Sequence, residues 1–165
     1  MVQKEFTRTG REVTLIDKVM DRMVKGVAII TTKTETKLNG MAASWFNRVA
    51  EEPFLIMISV WKENYSYELI KKSGIFAINI LSVGEVETAR HFGRQSGRDI
   101  DKFLNIDFEI KQTGCPILKD CLAFLDCKVF SSLETGDHTI FVGEVLHAGF
   151  QRDGEPLIFD RKDYP

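Results

Sequence analysis

The sequence predicts one mainly β domain, a β-barrel carrying a few helices on its rim. Three observations lead there. The apolar segments are mostly short and rich in β-branched residues, Gly, Pro, Asn and Asp punctuate them, and only 15–24, 65–72 and 85–92 have helical character. At 165 residues the chain is long enough for one real core, and no repeat, low-complexity tract or linker divides it.

The elements follow in order. Residues 1–13 are polar and read as a loose arm, leaving 14–165 as the domain. Apolar residues at 15, 16, 19, 20, 23 and 24 form a helical stripe that Gly26 ends. The β-branched run 27–32 is a strand, KTETK a hairpin turn, and 38–48 a second strand. After a Glu-Pro turn, the nearly all-apolar run 54–61 predicts a strand buried on both faces. A short helix spans 65–72, with Asn64 or Ser66 near its start and Gly74 at its end. A buried strand, 75–81, and a helix, 85–92, precede a charged, glycine-containing loop at 93–101 and a turn near 102–104. Strands at 122–133 and 139–150 form a hairpin about Gly136-Asp137. An RDGE turn leads to a last short strand, 156–159.

Composition excludes several classes. With 44% apolar and 28% charged residues and a formal charge of −2, the chain has no electrostatic footprint for nucleic acid or an anionic membrane. No apolar run approaches the ~20 residues that span a bilayer, and the first residues lack the apolar core of an export signal. The expected location is the cytoplasm. Cys115, Cys121 and Cys127 are an odd, evenly spaced set, which fits neither a disulfide framework nor a zinc or iron–sulfur site. Free buried thiols are expected, with Cys121 and Cys127 on one face of a strand.

Residues 39–66 are the most informative. Gly40, Ala42, Ala43 and Ser44 leave a strand backbone bare, so that a flat ligand can lie against its N–H groups. The bland reading is a tightly packed core strand. Ser59, Lys62, Asn64, Tyr65 and Ser66 form a polar cluster suited to a phosphate and its polyol linker, or else a solvated turn with a helix cap. Together the two features suggest a cofactor with a planar ring and a phosphate tail. Arg48, at the end of the bare strand, is a second phosphate candidate or an ordinary exposed arginine.

From MVKGVAIITT through NGMAASWF and EEPFLIMISVWKENYSYELIKKSGIFAINIL, the chain resembles the flavin reductase-like proteins of the FMN-binding split-barrel class. Further along come HFG, SGRDIDKF, Gly-Cys-Pro at 114–116, GDHTIFVGEV and a terminal PLIF with Tyr164. No one of these is diagnostic, but their order spans 15–164. The closest likeness is to the flavin domains of anaerobic rubredoxin-linked reductases.

The resemblance implies a homodimeric Greek-key split barrel that binds FMN, less often FAD. It implies hydride transfer from NADH or NADPH to flavin. Electrons then pass to free flavin, a partner oxygenase or a small iron protein. A non-catalytic FMN-bound electron carrier of the same fold is the alternative, and a cofactor-free β-barrel binding module is a more distant one. Because the cofactor carries the chemistry, neither a triad nor a metal site is expected.

The resemblance places the isoalloxazine on Met41 to Ser44, with Trp45 or Phe46 meeting it. The phosphate falls on Ser59, Lys62, Asn64, Tyr65 and Ser66, and Phe92 and Gly93 form part of the cover, with an arginine of 94–101 available to a nucleotide phosphate. His138, in its Gly-Asp-His setting, falls near the nicotinamide as the proton-handling residue. Tyr164 falls near the cofactor or a dimer seam.

Overall fold

The computed structural model describes residues 12–163. Most of the predicted arm and Tyr164 therefore lie outside the described residues. In chain order the strands are Ala28–Lys33 (β1), Leu38–Ala43 (β2), Phe46–Ala50 (β3), Leu55–Trp61 (β4), Ile75–Ile80 (β5), Phe108–Ile110 (β6), Pro116–Leu118 (β7), Ala123–Thr135 (β8) and His138–Phe150 (β9). Three α-helices accompany them, Leu15–Met20 (α1), Tyr65–Ser73 (α2) and Val86–Arg94 (α3). Seven strands form one antiparallel sheet in the order β2-β1-β5-β8-β9-β4-β3, and β6 pairs with β7 in a separate ribbon.

One connection decides the shape of this sheet. β2 and β3 are its opposite edges, yet only Ser44 and Trp45 separate them in the chain. Three Cα steps reach at most about 11 Å, so the sheet must curl until its edges nearly meet. It is a split β-barrel, and the expected continuous strand 38–48 is broken where the chain crosses the seam. The Trp45 carbonyl accepts from Ser59 N–H at 2.9 Å, which ties the crossing to β4.

The core has two parts because β1 and β5 are covered on both faces. Ala28, Ile30, Phe76 and Ile78 point into the barrel with Ile58, Val60 and Phe141. Val27, Ile29 and Ala77 pack outward beneath Ala89 and Phe92 of α3 and Ile117 of the β6–β7 ribbon. Asn79 fastens that ribbon. Its Nδ2 donates to Ile29 O at 3.1 Å and its Oδ1 accepts from Leu118 N–H at 2.8 Å.

By contrast, β4 is buried on one face only. Ile56, Ile58 and Val60 are buried, whereas Leu55, Met57, Ser59 and Trp61 are partly open and Phe54 is exposed. The sequence expected burial on both faces, but among the described residues the outer face of β4 has no covering layer of its own.

Local signals placed other elements well. Gly74 ends α2 in the left-handed region at φ 68°, where glycine avoids the Cβ penalty. Gly136-Asp137 forms the hairpin turn between β8 and β9, pairing Thr135 with His138. At α1 the helix stops at Met20 instead of continuing to Val24, and the apolar stripe is not buried within the chain. α3 runs two residues into the expected loop, to Arg94. All three cysteines are free and buried. Cys121 and Cys127 do not share a face: Cys121 precedes β8, a bulge follows Asp126, and the two thiols enter different parts of the core. Burial pushes the Cys115 and Cys121 thiols up to about 12 and raises that of Cys127 as well.

Close contact between α3 and β2 sets the wall behind the seam. A Cβ at Gly40 would stand 2.7 Å from the Phe92 ring and 3.3 Å from Ile29 Cγ2. Gly40→Ala should therefore lower stability by ~1–3 kcal/mol, the usual cost of overpacking. Urea denaturation checks this, and a wild-type midpoint would show that α3 yields freely.

Candidate functional site

A cavity of about 410 Å³ opens at the seam. Its floor is the end of β2, where Met41, Ala42 and Ala43 lead into Ser44 and Trp45. β2 is an edge strand, so alternate peptide groups face away from β1. Small side chains leave those groups reachable. Ala42 touches α3 directly, since a Cβ at Gly93 would lie 3.3 Å from the Ala42 methyl.

An aromatic cluster forms one end. Trp45, half exposed, lies with its ring 5.0 Å from that of His138 and tilted by 35°. Trp61 pairs with His138 across β4 and β9, and both line the cavity with Ser59. His138 Nδ1 lies 2.8 Å from Asp137 Oδ1. With Nδ1–H donated to that carboxylate, Nε2 is the ring atom left to meet a ligand. The bond to His138 holds the Asp137 carboxyl below the usual carboxylate value.

The other wall is cationic. Lys25, Arg90, Arg94 and Arg161 line it against one carboxylate, Asp21. Arg90 pairs with Glu87 one turn back on α3. Arg161 donates from Nε and Nη2 to Asp21 Oδ2, each at 2.7 Å, and Lys25 Nζ lies 3.6 Å from Oδ1. Lys25 Nζ also sits 5.0 Å from the centre of the Phe159 ring, which lines the cavity too.

The structure divides the residues expected from sequence. Met41, Ala42, Ala43, Ser44, Trp45, Ser59, Asn64, Gly93 and His138 all line this one cavity. Asn64 makes no side-chain cap bond on α2, and its Nδ2 lies 3.6 Å from Met41 Sδ.

The others lie elsewhere. Ser66 is buried and accepts from Asn39 Nδ2 at 2.9 Å. Lys62 Nζ bonds Gly136 O at 3.0 Å and approaches Glu134, closing the β8–β9 hairpin. Tyr65 lies beneath the Arg98 guanidinium, 5.0 Å away, and Arg98 also pairs with Glu68. Arg48 pairs with Glu51 at 3.1 Å on the exposed face of β3. Phe92 is core, edge-on to Phe103.

Sequence reading missed Lys25, Trp61, Arg90, Phe159 and Arg161, and it offered Arg94 only as one arginine of a covering loop. A signal existed on α3, because Ala89, Arg90, Gly93 and Arg94 share one helical face by their i, i+4 spacing. For Lys25 and Arg161 there was none; only the fold brings the two ends of the domain together. Among the described residues no group of His, Cys, Asp and Glu could hold a metal ion, and no helix is long and apolar enough to cross a membrane.

Comparisons with known proteins identify the family. A flavin reductase like domain matches residues 20–165. The chain is 36% identical over 146 residues to the flavin-dependent monooxygenase reductase subunit HsaB of Rhodococcus jostii, covering 88% of this chain and 73% of that protein. It is 32% identical over 145 residues to a high molecular weight rubredoxin of Moorella thermoacetica, covering 86% of this chain but only 63% of the relative. The structure of the NADH:FAD oxidoreductase SgcE6 of Streptomyces globisporus superposes with a TM-score of 0.82 at 27% identity, over 97% of this chain and 95% of that one.

The Asp21–Arg161 pair generates a pH prediction. The hydrogen bond from Arg161, working against burial, holds the Asp21 carboxyl below its ordinary 3.8. A lowered value in the folded state means that stability from this pair is present above 3.8 and is lost as pH falls through the lowered value. Thermal melts between about pH 5 and pH 2 should show a shallower acid loss for Asp21→Asn than for the wild type. Identical acid limbs would contradict the assignment.

Proposed function

The chain belongs to the flavin reductase like domain family, and on that footing we propose that it is an NAD(P)H:flavin oxidoreductase that binds its flavin, FMN first, in the seam cavity. Electrons leave to free flavin, an oxygenase partner or a small iron protein. The observation that carries this reading is the bare edge strand flanked by an aromatic end and a cationic wall. A planar ring with an anionic tail matches that sequence of surfaces, and the volume lies in the range of small-molecule sites.

When bound, the flavin supplies a two-electron acceptor for hydride from the reduced nicotinamide. The protein's part is placement and electrostatics. Ala42, on the open edge of β2, and Ser44, just past its end, present backbone donors to the ring edge, where negative charge develops on reduction. Trp45 and Trp61 shelter the reacting face from water. Lys25, Arg90, Arg94 and Arg161 would hold phosphate oxygens, a role the sequence had given to Lys62, Tyr65, Ser66 and Arg48. Those four lie outside the seam cavity, whereas Lys25, Arg90, Arg94 and Arg161 line it, which favours the cationic wall instead. His138 offers Nε2 to the ligand while Nδ1–H stays with Asp137.

The reading includes a cytoplasmic homodimer. Free buried thiols suit a reducing compartment. Exposed Leu15, Ile16 and Val19 on α1, with Phe130 and Leu133 on β8, form apolar surface that a second copy would cover. Sedimentation should give twice the chain mass of 18.8 kDa, and a monomer would contradict it.

The central test is spectroscopic. Purified protein should bind FMN and bleach promptly when NADH is added without oxygen. Bound flavin that stays yellow would identify a carrier reduced by another protein, and absence of binding would remove the flavin reading. His138→Ala should lower kcat/KM for NADH by about tenfold. This is less than the full range for acid–base catalysis, because the hydride step itself moves no proton. Unchanged kinetics would remove His138 from the reaction.

A further inference from the structure

We infer that Lys102, a buried residue outside the cavity, is a positioning residue that biases the site toward the reduced form of its flavin; the inference rests on the flavin reading above. Lys102 is 5% exposed. Its Nζ donates to Gly40 O at 2.9 Å and to Phe92 O at 2.8 Å. Each acceptor adjoins the site. Gly40 precedes Met41 on β2, and Phe92 precedes Gly93 in the last turn of α3, where carbonyls lack intrahelical partners. Both Met41 and Gly93 line the cavity.

The geometry gives the ammonium a specific effect. Along the open edge of β2, outward N–H and C=O groups alternate, and a bare carbonyl there repels developing negative charge. Lys102 occupies the Gly40 carbonyl, so the next outward peptide group toward the seam, at Ala42, is reached past a neutralised acceptor and a nearby positive charge. A buried charge is poorly screened and acts over several ångströms. The same ammonium caps the negative end of α3, where the helix touches β2.

The lysine is itself held in register. His91 Nε2–H donates to Lys102 O at 2.8 Å, and Asp101 Oδ1 accepts from Phe103 N–H at 2.9 Å. Thus the Ser96–Phe103 segment, which looks like a solvated charged loop in sequence, serves to deliver one cation behind the edge strand. Reduction adds negative charge to the flavin, and oxidised flavin is neutral at the ring. The edge therefore favours the reduced form.

The test compares two affinities in the whole protein: oxidised FMN, and FMN reduced with dithionite under anaerobic conditions. Lys102→Gln keeps an amide donor for the two carbonyls but removes the charge. It should lose at least about tenfold of the preference for reduced over oxidised FMN, equivalent to about 30 mV for a two-electron couple. Lys102→Arg, which keeps the charge, should hold the wild-type ratio. A wild-type ratio in Lys102→Gln, or an equal loss in Lys102→Arg, would overturn the inference and leave Lys102 a structural tether. Failure of the wild type to bind FMN at all would instead overturn the flavin reading on which the inference stands.

Discussion

The passage of the chain across the barrel seam through Ser44 and Trp45 is the constraint on which the rest depends. Because β2 and β3 are the two edges of one sheet, a two-residue connection forces that sheet to close without letting its edges pair. An unpaired edge is ordinarily a liability, since its free N–H and C=O groups invite further strands. Here α3 lies against it, with Gly40 meeting Phe92 and Gly93 meeting Ala42. What remains open is a short length of backbone at the mouth of the seam, flat enough for a ring and bounded by Trp45.

Electrostatics then give the seam a direction. Four cationic side chains and one carboxylate line the wall proposed for an anionic tail, while the aromatic cluster about His138 lines the end proposed for a planar group. The strength of these interactions follows from partial burial, since each group keeps more of its influence than it would in open water. The Asp21–Arg161 pair also brings Asp21, just past α1, to the last described turn, so the first and last parts of the domain contribute to the same wall.

Local features of this architecture were legible in the sequence. Gly74 stops α2 and Gly136-Asp137 turns the β8–β9 hairpin because each requirement is met within a few residues. The small residues Ala42, Ala43 and Ser44 were legible for the same reason, and they line the seam cavity. The break at Ser44-Trp45 was not, because nothing local prevents 38–48 from continuing as a strand; only closure of the whole sheet does. β6 and β7, three residues each, are too short to show a period. The phosphate candidates show the same divide. Lys62, Tyr65 and Ser66 are polar and adjacent in sequence, yet their partners lie in the hairpin, the Arg98 loop and β2, which the local pattern does not reveal.

A crystal structure of this protein grown with FMN would test the account most directly. It should show the isoalloxazine against Ala42, Ala43 and Ser44, with the phosphate on the wall formed by Lys25, Arg90, Arg94 and Arg161. FMN ordered elsewhere, with the seam strand left uncovered, would contradict it.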